Sequence, residues 1–145
     1  MPAWVQQGYD EYAKRLNKDC VLNLIEVDAA KRGKTSSAEK YKSEEAKKII
    51  CALPKGSYLI SLDVKGKKLS TETLSTKLDS WMHLGRDVSI IVGGPDGIEE
   101  SLLQQSNEKI SLSELTFPHP LVRVILAEQI YRAWSLLNNH PYHRA

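Results

Sequence analysis

Three short apolar runs rich in β-branched residues alternate with helical segments, and this alternation constrains the fold more than any other feature of the 145-residue chain. VLNLIEV (21–27), SYLISLD (57–63) and DVSIIV (87–92) read as buried strands. Val5, Tyr9, Tyr12 and Leu16 predict an opening helix over 3–17. Ser36 and Glu39 have capping-box spacing ahead of a helix ending near Ala52, and Pro54 with Gly56 then forces a turn. After the VKGKK loop, Ser70 or Thr71 caps a helix whose Leu74, Leu78, Trp81 and Met82 form one stripe, ended by Gly85. A short helix is expected over 98–107, then an irregular apolar stretch, ISLSELTF, then a long helix from about Pro120. Strands separated by helices pair in parallel, because parallel neighbours need crossover connections. The expected fold class is therefore α/β, a parallel sheet flanked by helices in one domain over 1–145. Ligands of such sheets bind at the carboxyl ends of the strands, here the loops after Asp63 and Val92.

Composition narrows the class. With 41% hydrophobic and 26% charged residues, the chain is neither disordered nor fibrous. No apolar run approaches the roughly 18 residues that span a bilayer, and the N-terminus lacks the pattern of a signal peptide, so no membrane partner and a cytoplasmic location are expected. Cys20 and Cys51 form no CxxC motif and read as two reduced, buried side chains. The net charge of +2 conceals a basic middle: residues 31–68 hold 11 Lys and Arg against 4 Asp and Glu. Lys31, Arg32 and Lys34 surround Gly33, and Lys65, Lys67 and Lys68 surround Gly66. Such loops either contact a polyanion, nucleic acid being the natural one, or keep the surface solvated. The chain opens with a helix where an α/β domain normally opens with a strand, so a strand is expected to be missing.

Three segments carry candidate chemistry. In IIVGGPDGI (90–98) a strand runs into a turn where Gly93, Gly94 and Gly97 permit positive φ and close approach of a ligand. The spacing matches neither GxGxxG nor the P-loop, which argues against dinucleotide and triphosphate cradles. In LSELTFPHPLVRVILAEQIYRAW (112–134) a loop feeds a helix apolar nearly all round, which implies burial in a subunit interface. Glu128 and Arg132 are spaced to pair with each other, while Arg123 in the first turn is placed to face the loop and a ligand. The tail NNHPYHRA (138–145) is dense in His, Tyr and Arg; with no third ligand clustered beside His140 and His143, no metal site is expected.

The GGP-x-G turn, the run LS-x-LT-x-PHPLVR-x-x-x-AEQ-x-YRAW and the terminal NHPYHR together closely resemble the RlmH family of SPOUT (α/β-knot) methyltransferases over essentially the whole chain. The early KRGK and the GRDVSIIVGG approach fit the same pattern. The resemblance implies a homodimeric enzyme that uses S-adenosylmethionine to methylate N3 of pseudouridine 1915 in helix 69 of 23S ribosomal RNA on the assembled ribosome. It also implies a C-terminal trefoil knot whose loops hold the cofactor through Leu62, Gly93, Leu112, Ser113, Glu114, Leu115, Thr116 and Phe117. It implies further a short N-terminal strand, which is expected to be missing here.

The N3–H of a pseudouridine is a weak acid and needs a base or a stabilised anion before it reacts. The Tyr–His–Arg cluster after an interface helix leads to the expectation that the tail of one subunit covers the cofactor of the other, with His143 assisting proton removal, Arg144 holding phosphate or the uracil anion, and Tyr142 packing on a base. The basic loops at 31–34 and 65–68 are assigned to RNA backbone contacts. A knot methyltransferase acting on transfer RNA and a non-catalytic ribosome-binding protein are the alternatives.

Overall fold

The computed structural model describes residues 2–28, 37–93 and 97–142. In chain order the elements are α1 (Ala3–Ala13), α2 (Ala38–Ala52), β1 (Tyr58–Lys68), α3 (Thr71–Met82), β2 (Val88–Ile91), α4 (Glu100–Gln105), β3 (Glu108–Ser111) and α5 (His119–Leu137). They fall into two compact units. The helical unit draws on Met1–Asn23, Lys68–Gly85 and Phe117–Ala145, and the sheet unit on Leu24–Lys67 and Arg86–Thr116.

In the helical unit, α5 packs against α1 and α3. Val5 and Tyr9 form the buried stripe of α1, and a Cβ added at Gly8 between them would lie 3.1 Å from both γ-methyls of Val124. Leu74, Leu78 and Trp81 are the buried stripe of α3, where Ser75 Oγ donates to the Ala133 carbonyl at 3.0 Å. Ser70, rather than Thr71, caps α3, its hydroxyl accepting from the Thr73 amide at 3.1 Å. The long α5 buries Leu126, Ala127, Ile130, Tyr131, Ala133, Trp134 and Ser135, while Leu121, Val122, Val124 and Ile125 are only half-buried. The opening helix stops at Ala13, short of the expected Asn17.

The sheet unit has the strand order β2-β1-β3. β1 and β2 are parallel, with Tyr58 opposite Val88 and Ser61 opposite Ile91. The chain leaves β1 to form β2 on one side and returns to form β3 on the other, and such a reversal leaves a crevice at the strand ends. Ala46, Ile91, Ile98 and Leu102 make a core covered by Ile49, Leu59 and Leu103. At the amino end, Tyr58 Oη donates to Glu108 Oε2 at 2.8 Å beneath the Arg86 guanidinium.

Several expectations are corrected. VLNLIEV is not a strand: Val21 and Ile25 are 68% and 55% exposed and the segment joins no ladder among the described residues. The alternation survives, since Leu22, Leu24 and Val27 are half-buried, but it reports which side chains are covered and not whether the backbone is paired. The VKGKK segment is no loop, because β1 runs through it to Lys68. A Cβ on Gly66 would lie 2.7 Å from the backbone N and C of Ile110, so only glycine admits this approach of β1 to β3. The predicted 98–107 helix is the shorter α4, and the start of the irregular stretch belongs instead to β3. Ser37 caps α2, accepting from the Lys40 amide, whereas Ser36 lies outside the described residues. Cys20 is buried as expected, but Cys51 is exposed.

Candidate active site

The sheet unit gathers seven of the eight cofactor positions read from sequence. Leu62 follows Ser61 on β1, and Val92 and Gly93 follow its partner Ile91 on β2, so Leu62 stands level with the start of the glycine turn. Gly93 is required for space, not for positive φ: a Cβ there would lie 2.8 Å from the Gly97 carbonyl carbon and from Ile98 Cγ1. Gly97 does take positive φ, at 86°, and Gly94 lies outside the described residues. The third strand end carries Leu112, Ser113, Glu114, Leu115 and Thr116, directly after β3.

This last loop is tied internally. Buried Ser111 donates its hydroxyl to the Ser113 carbonyl at 3.0 Å, and Ser113 Oγ accepts from the Leu115 amide at 3.0 Å. The turn so formed leaves Leu115 69% exposed beside half-buried Leu112. Exposed apolar side chains next to loop backbone suit an aromatic heterocycle that needs both an apolar face and amide groups. Sequence reasoning found the loop but missed β3, which carries it; Ile110 and Ser111 are buried, yet four residues are too few for a legible period.

Phe117 and Tyr142 belong to the helical unit, and His143 and Arg144 lie outside the described residues. Tyr142 Oη donates to Glu128 Oε2 at 2.7 Å. The expected pairing of Glu128 with Arg132 is present, Arg132 Nη2 and Nε reaching the same oxygen at 2.6 and 3.1 Å. The Tyr142 ring lies 4.6 Å from that of Tyr131, with the Arg132 and Arg15 guanidiniums at 5.1 and 5.9 Å from its centre. Burial first, and then the bond to Glu128, holds the Tyr142 phenol far above its ordinary range, so it stays a proton donor. The bond to Glu128 likewise pushes Arg132 up. Arg123 is half-buried in the first turn of α5. Among the described residues no three His, Cys, Asp or Glu side chains come together as metal ligands, and no helix is long and apolar enough to cross a membrane.

Comparison with known proteins accounts for this arrangement. Residues 1–143 match the family described as predicted SPOUT methyltransferase. The chain is 62% identical to the ribosomal RNA large subunit methyltransferase H of Hydrogenovibrio crunogenus over 99% of its own length and 92% of that protein's. The proteins of the same name in Thioalkalivibrio sulfidiphilus and Methylococcus capsulatus are 53% and 48% identical over 99% of this chain and 92% and 93% of theirs. A strand-end loop set on a parallel pair, a helix with the AEQ-x-YRAW run and a match over both units make this chain a methyltransferase enzyme belonging to the SPOUT family, among the RlmH proteins.

Proposed function

We propose that the enzyme transfers a methyl group from S-adenosylmethionine to N3 of pseudouridine 1915 in helix 69 of 23S ribosomal RNA, acting as a cytoplasmic homodimer on the assembled ribosome. The observation that carries the reading is that Gly93 and the Leu112–Thr116 loop follow the ends of β2 and β3, with Leu62 on the intervening β1 level with Val92, in a chain whose relatives are named for large-subunit ribosomal RNA. Those residues, with Phe117, would hold the cofactor: Leu62, Leu112 and Leu115 offer apolar surface, and the loop backbone of Ser113–Phe117 offers polar groups. When bound, S-adenosylmethionine supplies an electrophilic methyl group. We assign the threading of these loops into a trefoil knot, in a single catalytic domain over 1–145, to the same reading.

The rest of the chemistry falls to the chain. The N3–H must lose its proton, and His143 is the carrier suited to neutral pH. Arg144, permanently charged, holds the uracil anion or a flanking phosphate. The tail bearing both reaches the cofactor site of the partner subunit, across an interface formed by the half-buried apolar residues of α5. Lys65 and Lys67, exposed on β1, and the loop at 31–34 contact the RNA backbone.

The test is methyl transfer from labelled S-adenosylmethionine to ribosomes that lack the modification, with mass mapping of the product. Label at N3 of the helix 69 pseudouridine is the expected result, and His143→Ala is expected to abolish it. Label on transfer RNA, or ribosome binding without any label, overturns the assignment.

A further inference from the structure

The cofactor positions at the strand ends supply apolar surface and backbone amides but almost no charge. Among Leu62, Gly93 and the run 112–117, the one ionisable side chain is Glu114, which is exposed and engaged in another contact. Next to Leu62, the central strand of the sheet carries Asp63. This carboxylate is half-buried and makes no hydrogen bond or ion pair among the described residues, although Lys65 and Lys67 follow it on the same strand. In the register that sets Ser61 opposite Ile91, Asp63 is level with Gly93. Strand alternation puts it on the face of Leu59 and Ser61, and hence of Ile91, which forms the core with Ile98 and Leu102. Asp63 therefore stands just beyond the last core position of that face, at the level where Gly93 is pressed against Gly97 and Ile98.

We propose that the Asp63 carboxylate recognises a positive charge of S-adenosylmethionine and is a further cofactor-binding residue. The proposal rests on the reading above that this cofactor occupies the strand-end loops. S-adenosylmethionine carries two cationic groups, the methylsulfonium and the α-ammonium, and both lie outside the adenine that apolar side chains and loop amides suit. A carboxylate drawn partly out of water without a partner is costly, and a ligand cation beside it removes that cost. The position is also where ligands of parallel sheets bind, at the carboxyl end of an inner strand where the strand order reverses. A role in holding β1 to its neighbours would need a bond to them, and the carboxylate has none among the described residues. Proton removal from the substrate is the competing role. Carboxylates are ordinarily far weaker bases than imidazole, so a fixed counter-charge suits this group better.

The wild type, Asp63→Asn and Asp63→Glu are compared by calorimetry for affinity to S-adenosylmethionine, S-adenosylhomocysteine and 5′-methylthioadenosine, and for methyl transfer to unmodified ribosomes. Asp63→Asn is expected to weaken S-adenosylmethionine binding by about 10- to 100-fold, the effect of losing one bond to a charged group. Asp63→Glu keeps the charge and is expected to lose less. The affinity of 5′-methylthioadenosine, which has neither cation, is expected to be unchanged. S-adenosylhomocysteine keeps the ammonium and lacks the sulfonium, so an equal loss assigns Asp63 to the ammonium and no loss assigns it to the sulfonium. Asp63→Asn preserves shape, and Asp63→Ser repeats the comparison should it not fold. S-adenosylmethionine affinity equal to wild type, or the same loss for 5′-methylthioadenosine, overturns the proposal. So does a fall in kcat at unchanged cofactor affinity, which would place Asp63 at the substrate. A wild type that binds S-adenosylmethionine but methylates another RNA refutes the proposed substrate alone, and the affinities then decide Asp63 by themselves. A wild type that binds no S-adenosylmethionine refutes the cofactor and Asp63 with it.

Discussion

Tyr9 Oη and Trp134 Nε1 are sealed from solvent without a hydrogen-bond partner among the described residues. An unsatisfied buried donor costs on the order of 1–3 kcal/mol, which makes Tyr9→Phe a stabilising substitution by about 1 kcal/mol. A rise in thermal midpoint checks this, and a fall would show that the hydroxyl has a partner. Burial also pushes the Tyr9 phenol from 10.0 up to about 12 and the Cys20 thiol from 9.0 up to about 11. Both folded values exceed the unfolded ones, so the native chain binds more protons in between and stability falls as pH rises. The loss runs from pH 9 to 11 for Cys20 and from 10 to 12 for Tyr9, each on the order of 2 kcal/mol. Thermal melts from pH 8 to 12 are expected to flatten at the lower step in Cys20→Ala and at the upper step in Tyr9→Phe.

At the scale of elements, β1 depends on a residue without a side chain. Since a Cβ at Gly66 would meet the Ile110 and Lys109 backbone at 2.7 to 2.8 Å, Gly66→Ala must displace β3. The expected cost is at least about 2 kcal/mol in urea unfolding, with weaker cofactor binding because the Leu112–Thr116 loop hangs from β3. Stability within about 0.5 kcal/mol of wild type would show that β1 and β3 separate freely. The same strands show what the sequence makes legible. β2 and the first half of β1 were readable because Ile60, Ile90 and Ile91 sit in short apolar runs, α3 because its cap and stripe are local, and α5 because Pro120 stands in its first turn ahead of a long apolar run. β3 was not, since its identity comes from the neighbour it pairs with. VLNLIEV failed for the converse reason: it has the composition of a strand and no ladder among the described residues. The glycine turn and the Leu112–Thr116 loop were legible as loops through their motif, whereas Glu128 and Arg15 meet Tyr142 only through helix packing, which no spacing in the sequence records.

At the scale of the whole molecule, the basic middle segment and the apolar α5 make separable predictions about RNA and about the dimer. Lys65→Glu with Lys67→Glu is expected to weaken ribosome binding and to lower the salt dependence of affinity by about two counterions, with cofactor affinity unchanged. An unaltered salt slope would free β1 from the RNA interface. The dimer is tested by mixing. If a tail completes the site of its partner, a chain with Arg144→Ala and a chain with Leu115→Asp are each inactive as homodimers, by loss of the tail and of the cofactor loop. Leu115 is exposed, so the substitution leaves the fold intact. After exchange of subunits, half of the dimers are mixed, and each pairs one intact tail with one intact loop, restoring about a quarter of the wild-type sites. A tail acting within its own subunit restores none, because every chain then carries one broken half. Activity recovered on mixing, measured on the same ribosomes as the separate variants, therefore distinguishes a shared site from two independent ones without a structure of the dimer.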